Sequence, residues 1–127
     1  MEPLHIPATT TTPEIRLDNE SGQLAIQGVS DEVDAIGYYY PAQQWVEAYV
    51  RQPAPDTILD IRLTNFNAAS SKALFGIIAC LAPLLKTEHS LKVNWYYDTN
   101  NSVLNENFKQ YSDSTSVPVN VAASNNS

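Results

Sequence analysis

The stretch from Thr57 to Asp98 constrains the fold most. TILDIRL (57–63) reads as a largely buried strand, with Ile58, Leu59, Ile61 and Leu63 apolar. From about Ala69 to Lys86, the residues Leu74, Ile77, Ile78, Leu81, Leu84 and Leu85 recur at helical spacing. SLKVNWYYD (90–98) then puts Leu91, Val93 and Trp95 on one face of a second strand. A strand–helix–strand run of this kind implies a sheet whose later strands are joined by right-handed crossovers and covered by helices.

The rest of the chain extends that sheet. EIRLD (14–18) and QLAIQG (23–28) alternate over a few residues and are separated by the turn residues NESG, which reads as a hairpin. In SDEVDAIGYYYPAQQWVEAYVRQ, the residues Tyr38, Ala42, Trp45, Val46 and Tyr49 recur at helical spacing, and Ser30 or Asp31 is placed to cap the start. Pro41 interrupts the pattern, so the helix either kinks there or is firm only from Pro41 onward. PAPD (53–56) reads as a loop, and Pro83 is expected to bend the last turn of the second helix. A polar TNNS loop leads to a weak helix from Val103 to Tyr111, and VPVNV (117–121) reads as a final strand. The expected fold is α/β, a mixed β-sheet of about five strands with about three helices in the order ββαβαβαβ. A single domain is expected over residues 1–127, with 1–8 and 122–127 flexible.

Charge narrows the partners. Fourteen acidic and seven basic residues leave a net charge of −7, and the seven cations are scattered along the chain. Nucleic acid and anionic membrane are therefore poor partners, and a protein with basic patches is a better one. No apolar run comes close to the ~20 residues of a membrane span. The start, MEPLHIPATTTT, lacks the features of a secretory signal, so a cytoplasmic location is expected. The single Cys80, inside an apolar run, reads as a buried inert thiol.

Catalytic constellations are hard to assemble. His5 and His89 lie in segments without a partner pattern, and no Cys or His has metal-ligand spacing. The stretch from Asp98 begins like a calcium loop, but Val103 stands where glycine is needed and Lys109 where a bidentate acid is needed. No metal or cofactor is expected. Tyr38–Tyr40 and Trp95–Tyr97 could form a carbohydrate-stacking surface or anchor a protein interface, against the plainer reading that alternate members pack in the core.

That leaves TNFNAASSKALFG (64–76), hydroxyl-rich and at a helix start. Unpaired N–H groups and a partial positive charge there favour an anion, including an attached phosphoryl group. Asn67 or Ser70 before a helix is equally what ordinary capping looks like.

F-N-x-x-S-S-K leading into an apolar helix, then N-W-Y-Y-D at a strand end, resembles the SiaC family of bacterial regulatory phosphoproteins. T-P-E-I (12–15), the Q-G-x-S turn (27–30) and Y-x-P-x-x-x-W (39–45) agree with it, and the similarity runs from about Leu4 to Val121. The resemblance implies a mixed α/β fold reminiscent of anti-sigma-factor antagonists and a protein that is not an enzyme. It implies a partner serine/threonine kinase of the SiaB type that phosphorylates a Thr in the strand-to-helix motif, and a PP2C-type phosphatase that reverses this. The unphosphorylated form is expected to bind and activate a GGDEF diguanylate cyclase, raising cyclic di-GMP and favouring aggregation and biofilm growth. Asn67, Ala68, Ala69, Ser70, Ser71 and Lys72 would form the binding surface, with Tyr39 and Tyr97 as anchors. An antagonist in a sigma-factor partner-switching cascade would use the same sheet–switch–helix logic, and a small enzyme or ligand-binding protein using the tyrosines is a third reading.

The motif departs from the family at its key position. The accepting Thr directly follows the Asn in the family, and here that residue is Ala68, which has no hydroxyl. Either a natural member has lost its switch, or the chain is an engineered non-phosphorylatable form, or Ser70 or Ser71 serves as a substitute acceptor. The segment after Gly28, V-S-D-E-V-D, also departs from the family's usual S-Y-P-E-N.

Overall fold

The computed structural model of the chain describes residues 1–97 and 117–123. The hairpin forms where the alternation places it. Strands β2 (Glu14–Leu17) and β3 (Gln23–Ser30) pair antiparallel, with Ile15 opposite Ile26 and Leu17 opposite Leu24. Gly22 closes the turn at φ +76, and a Cβ there would collide with the Asp56 carbonyl oxygen. Strand β1 (Leu4–Ile6) adds antiparallel to β2 inside the stretch expected to be flexible. A strand of three residues carries too little pattern to be seen in sequence.

Strands β4 (Asp56–Phe66), β5 (Ser90–Tyr97) and β6 (Val119–Ala123) continue the sheet in parallel, giving the spatial order β1-β2-β3-β4-β5-β6. Two rows of apolar residues cross it: Ile15, Ile26, Ile61 and Trp95 in one, Leu17, Leu24, Leu59 and Val93 in the other. All eight are buried, and each such side chain contributes roughly 1.5–3 kcal/mol. The residues between them (Arg16, Gln27, Asp60, Arg62, Asn94) lie on the opposite, polar face. There the Arg62 guanidinium sits 3.9 Å from the Tyr96 ring centroid, and Asn94 donates to Asp60 at 2.9 Å.

Two helices cover the apolar face. Helix α1 (Ala35–Tyr49) links β3 to β4, and α2 (Ala68–Cys80) links β4 to β5. Parallel strands added in one direction with crossovers of one hand place successive helices on the same side. Among the described residues the architecture is therefore a six-stranded mixed sheet with two α-helices. The class is the expected one, with an additional strand at the start. The third helix expected at Val103–Tyr111 and the rejected calcium loop lie outside the described residues.

Four local expectations are corrected. The cap of α1 is Asp34, whose Oδ1 accepts from Gly37 N–H at 3.1 Å, whereas Ser30 belongs to β3 and Asp31 precedes the cap. Helix α1 runs through Pro41, because the carbonyl that loses its partner belongs to Gly37 on the exposed face, which is open to solvent. Gln27–Ser30 is not a turn but the end of β3, with Gly28 at φ +126 beside a break in register. Pro83 does more than bend a turn: α2 stops at Cys80, and a 3-10 helix follows at Ala82–Lys86. Together Ala68–Lys86 make 19 residues long and apolar enough to cross a membrane, more than the sequence reading allowed. Here Leu74, Ile77, Ile78, Leu81 and Leu84 are spent on the core.

Candidate functional site

The candidate site lies where β4 passes directly into α2, at the carboxyl end of the parallel strands. Phe66 ends the strand, Asn67 is extended (φ −101, ψ 175), and Ala68 begins the helix. Asn67 makes this abrupt change workable. Its Oδ1 accepts from Ser70 N–H at 2.8 Å, capping the helix. Its Nδ2 donates to the Glu32 carbonyl at 3.2 Å, and its own N–H donates to the Ser30 carbonyl at 3.2 Å. One residue thereby fastens the start of α2 to the end of β3 and to the loop before α1.

A second tie is fully buried. Ser70 Oγ donates to the Ser30 carbonyl at 2.9 Å, and Ser30 Oγ lies 2.6 Å from the Tyr39 hydroxyl. The relative exposure of Ser70 is 0%, of Ser71 1% and of Tyr39 2%. Burial pushes the Tyr39 phenol far above its ordinary range, with the Ser30 hydrogen bond opposing the rise. The hydroxyls Ser70, Ser30 and Tyr39 thus form a buried polar seam joining α2, β3 and α1.

The structure divides the residues expected to form the surface. Ala68, Ala69 and Lys72 are exposed on the first turns of α2, with Asn67 half-buried beside them. Ser70 and Ser71 face inward, so neither presents a hydroxyl to a modifying enzyme in this conformation. Tyr39 is placed in the core and cannot anchor a partner there. Its ring meets Tyr38 edge-on at 5.3 Å, and Tyr38 is itself held by a 2.7 Å hydrogen bond to the Pro13 carbonyl. Tyr97 ends β5, and its side chain lies outside the described residues.

The sequence reading missed another exposed group. Val33, Ile36 and Tyr40 are 93%, 64% and 57% exposed along the outer side of the start of α1. Their spacing is helical, one step out of phase with the buried stripe Ala35, Tyr39, Ala42, Val46 and Tyr49, and that phase is the signal that would have separated Tyr40 from Tyr39.

The other reactive side chains stand apart. His5 Nε2 is 3.1 Å from Glu14 on an exposed sheet edge, and this contact, with that from Gln27, lowers the Glu14 carboxyl pKa. His89 is hydrogen-bonded to Thr87. Cys80 is half-buried rather than buried, and burial followed by the Glu47 charge raises its thiol pKa, which keeps it protonated. No His, Cys, Asp and Glu cluster suited to a metal occurs among the described residues. A cavity of about 400 Å³ lies along β1 and β2, lined by Leu4, His5, Arg16 and Gln23, away from the tyrosines. Trp95 is wholly buried, stacked on Phe75 at 5.0 Å. Tyr39 and Tyr49 are buried in the core, and Tyr96 lies on the opposite face of the sheet over Arg62.

Known proteins share this fold. The chain is 29% identical over 123 residues to an uncharacterized protein of Pseudomonas aeruginosa strain UCBPP-PA14, covering 97% of this chain and 98% of that one. The crystal structure of apo-SiaC from Pseudomonas aeruginosa superposes with a TM-score of 0.75 at 28% identity, covering 97% of this chain and all of that one. A chain in the crystal structure of the diguanylate cyclase SiaD in complex with its activator SiaC, from the same organism, gives a TM-score of 0.78 at 29% identity, covering 95% and 99%. The family model for SiaC family regulatory phosphoproteins matches residues 6–124, which takes in both helices, the abrupt β4–α2 junction and its asparagine cap. The chain belongs to the SiaC family of regulatory phosphoproteins.

Proposed function

We propose that this chain is a non-enzymatic, cytoplasmic signalling protein that binds and activates a GGDEF diguanylate cyclase, raising cyclic di-GMP and favouring aggregation and biofilm growth. The observation that carries this is the 29% identity and whole-chain likeness to a structure in which a SiaC is the activator of the cyclase SiaD. The exposed start of α2, with Ala68, Ala69 and Lys72, is the binding surface. A SiaB-type serine/threonine kinase and a PP2C-type phosphatase control this surface in members that carry a Thr after the capping Asn, a reading supported by the family's description as regulatory phosphoproteins. In this chain Ala68 cannot accept phosphate, and Ser70 and Ser71 are buried, so the binding form persists whatever the kinase does.

The test is direct. The purified chain is titrated into its cognate GGDEF cyclase with GTP, and cyclic di-GMP is quantified. Stimulation that saturates with the chain and is unaffected by prior kinase treatment is the expected result. No binding and no stimulation at micromolar concentrations would refute the proposal.

A further inference from the structure

We infer that the ridge Val33–Ile36–Tyr40, with the acidic loop before it, is a docking surface for a partner segment that carries an apolar stripe flanked by Lys or Arg. This inference rests on the proposed function and extends it from the start of α2 to the neighbouring start of α1.

The apolar half of the argument is exposure in a row. Isolated exposed apolar residues are ordinary on protein surfaces, but a contiguous set including an aromatic is characteristic of interfaces. Among the described residues the exposed large apolar side chains are Met1, Val33, Ile36, Tyr40 and Leu85, and three of those five fall within eight residues of one another. Ile36 and Tyr40 are four residues apart, about 6 Å along the helix axis, and Val33 lies in the turn just before the Asp34 cap. The core accounts for none of them, because the inward stripe of α1 is already complete with Ala35, Tyr39, Ala42, Val46 and Tyr49.

The charged half is a one-sided field. From Leu17 to Val50 the chain carries Asp18, Glu20, Asp31, Glu32, Asp34 and Glu47, and no Lys, Arg or His. Asp31, Glu32 and Asp34 directly flank the ridge; Asp34 caps the helix, and Glu32 Oε1 accepts from the Asp34 N–H at 3.4 Å. A surface of this sign steers and orients a basic segment and repels an acidic one. A second copy of this chain, with its net charge of −7, is a poor occupant.

The ridge is also held in place relative to α2. The Glu32 carbonyl accepts from Asn67 Nδ2 at 3.2 Å, so the loop that begins the ridge is fastened to the residue that caps α2. A partner reaching Ala68 therefore meets, next to the Asn67 cap, the loop from which the ridge begins.

Binding of the full-length cognate GGDEF cyclase is measured for the unaltered chain and two double variants, at about 0.1 M and about 1 M salt, where screening lengths are about 10 Å and 3 Å. Ile36→Gln with Tyr40→Gln is expected to weaken binding at least about tenfold at both salts. Asp31→Asn with Glu32→Gln is expected to weaken it about tenfold at the lower salt and to match the unaltered chain at the higher one. All four side chains lie outside the core, and unchanged thermal unfolding of each variant confirms that the fold is kept. If the unaltered chain binds and either pair binds equally well at the lower salt, the docking surface is refuted while the proposed function stands. If the unaltered chain does not bind, the proposed function fails and the docking surface falls with it.

Discussion

Ser70 Oγ donates a 2.9 Å hydrogen bond to the carbonyl of Ser30, and both residues are completely buried. The bond joins the first turn of α2 to the last residue of β3 across 40 positions of sequence. It makes Ser70 a structural tie. Ser70→Ala is expected to lower stability by about 1 kcal/mol, near the middle of the usual range, because the Ser30 carbonyl keeps the Asn67 N–H. Urea midpoints of the two proteins measure this, and identical midpoints would show that the tie contributes nothing.

The same burial predicts the outcome of a kinase reaction. Trypsin cleavage after Arg62 and Lys72 releases LTNFNAASSK, which contains every hydroxyl of the segment. After incubation with the cognate kinase and ATP, mass spectrometry is expected to find this peptide unmodified, while a Thr-containing relative treated alongside is phosphorylated. Phosphate on Ser70 or Ser71 would require the first turn of α2 to open, and would return the switch to this chain.

Asn67 holds two structures at once, and two substitutions separate them. Asn67→Ala removes the cap and the Glu32 tether, and is expected to cost about 1 kcal/mol, within a range of roughly 0.5–2. Asn67→Asp keeps a capping oxygen but loses the donor to Glu32, so it is expected to retain most of the stability. Amide hydrogen exchange from Asp31 to Asp34 should quicken in both variants. Protection of those amides unchanged in Asn67→Asp would show that the tether does not order the loop.

Period and turn residues made much of this fold legible. NESG between two alternating runs marked the hairpin, and the apolar spacing from Ile58 to Trp95 marked the β4–α2–β5 crossover. What failed was phase. Tyr38, Tyr39 and Tyr40 are consecutive and alike, and the reading that put Tyr38 on the inward stripe was one residue out: Tyr39 is buried and Tyr38 is half-buried. The choice follows from Asp34 as the cap and from Ser30 as a buried partner for the Tyr39 hydroxyl, and both depend on where β3 ends. The α2 motif was misjudged differently. Ser70 and Ser71 look like surface hydroxyls at a cap, yet running the stripe back from Leu81 through Ile78, Ile77 and Leu74 lands on both. Residue type suggested exposure where position required burial. That Asn67 is the cap was within reach of the sequence; its bond to Glu32 is a long-range contact that only the fold supplies.

Tyr39 predicts an alkaline loss of stability. Its folded-state pKa is raised by burial, so the folded protein holds the phenolic proton more tightly than the unfolded chain. Its contribution is fully present below the unfolded value, about pH 10, and declines as pH rises from there toward the folded value. Tyr39→Phe is expected to cost about 1 kcal/mol at neutral pH, through the lost bond to Ser30, and to shrink the decline above about pH 10. Urea midpoints on both sides of that pH measure the two effects separately. An equally steep alkaline decline in the Phe variant would assign it to other groups.

Ala68→Thr tests whether the surface at α2 still carries the logic of a switch. Ala68 is exposed at the first position of the helix, so a Thr there presents its hydroxyl without disturbing the core, at a propensity cost of about 0.5 kcal/mol. Unmodified, this variant is expected to stimulate the cyclase as the unaltered chain does. With kinase and ATP it gains a phosphoryl group of nearly two negative charges, which the helix N-terminus tolerates but which changes the charge of the binding surface. Cyclic di-GMP production is then expected to fall for Ala68→Thr and to hold for the unaltered chain under identical treatment. If the phosphorylated variant keeps its full stimulation, residue 68 lies outside the contact with the cyclase. If the unaltered chain also loses activity, another residue accepts the phosphate, and Ala68 has not locked the protein in its binding form.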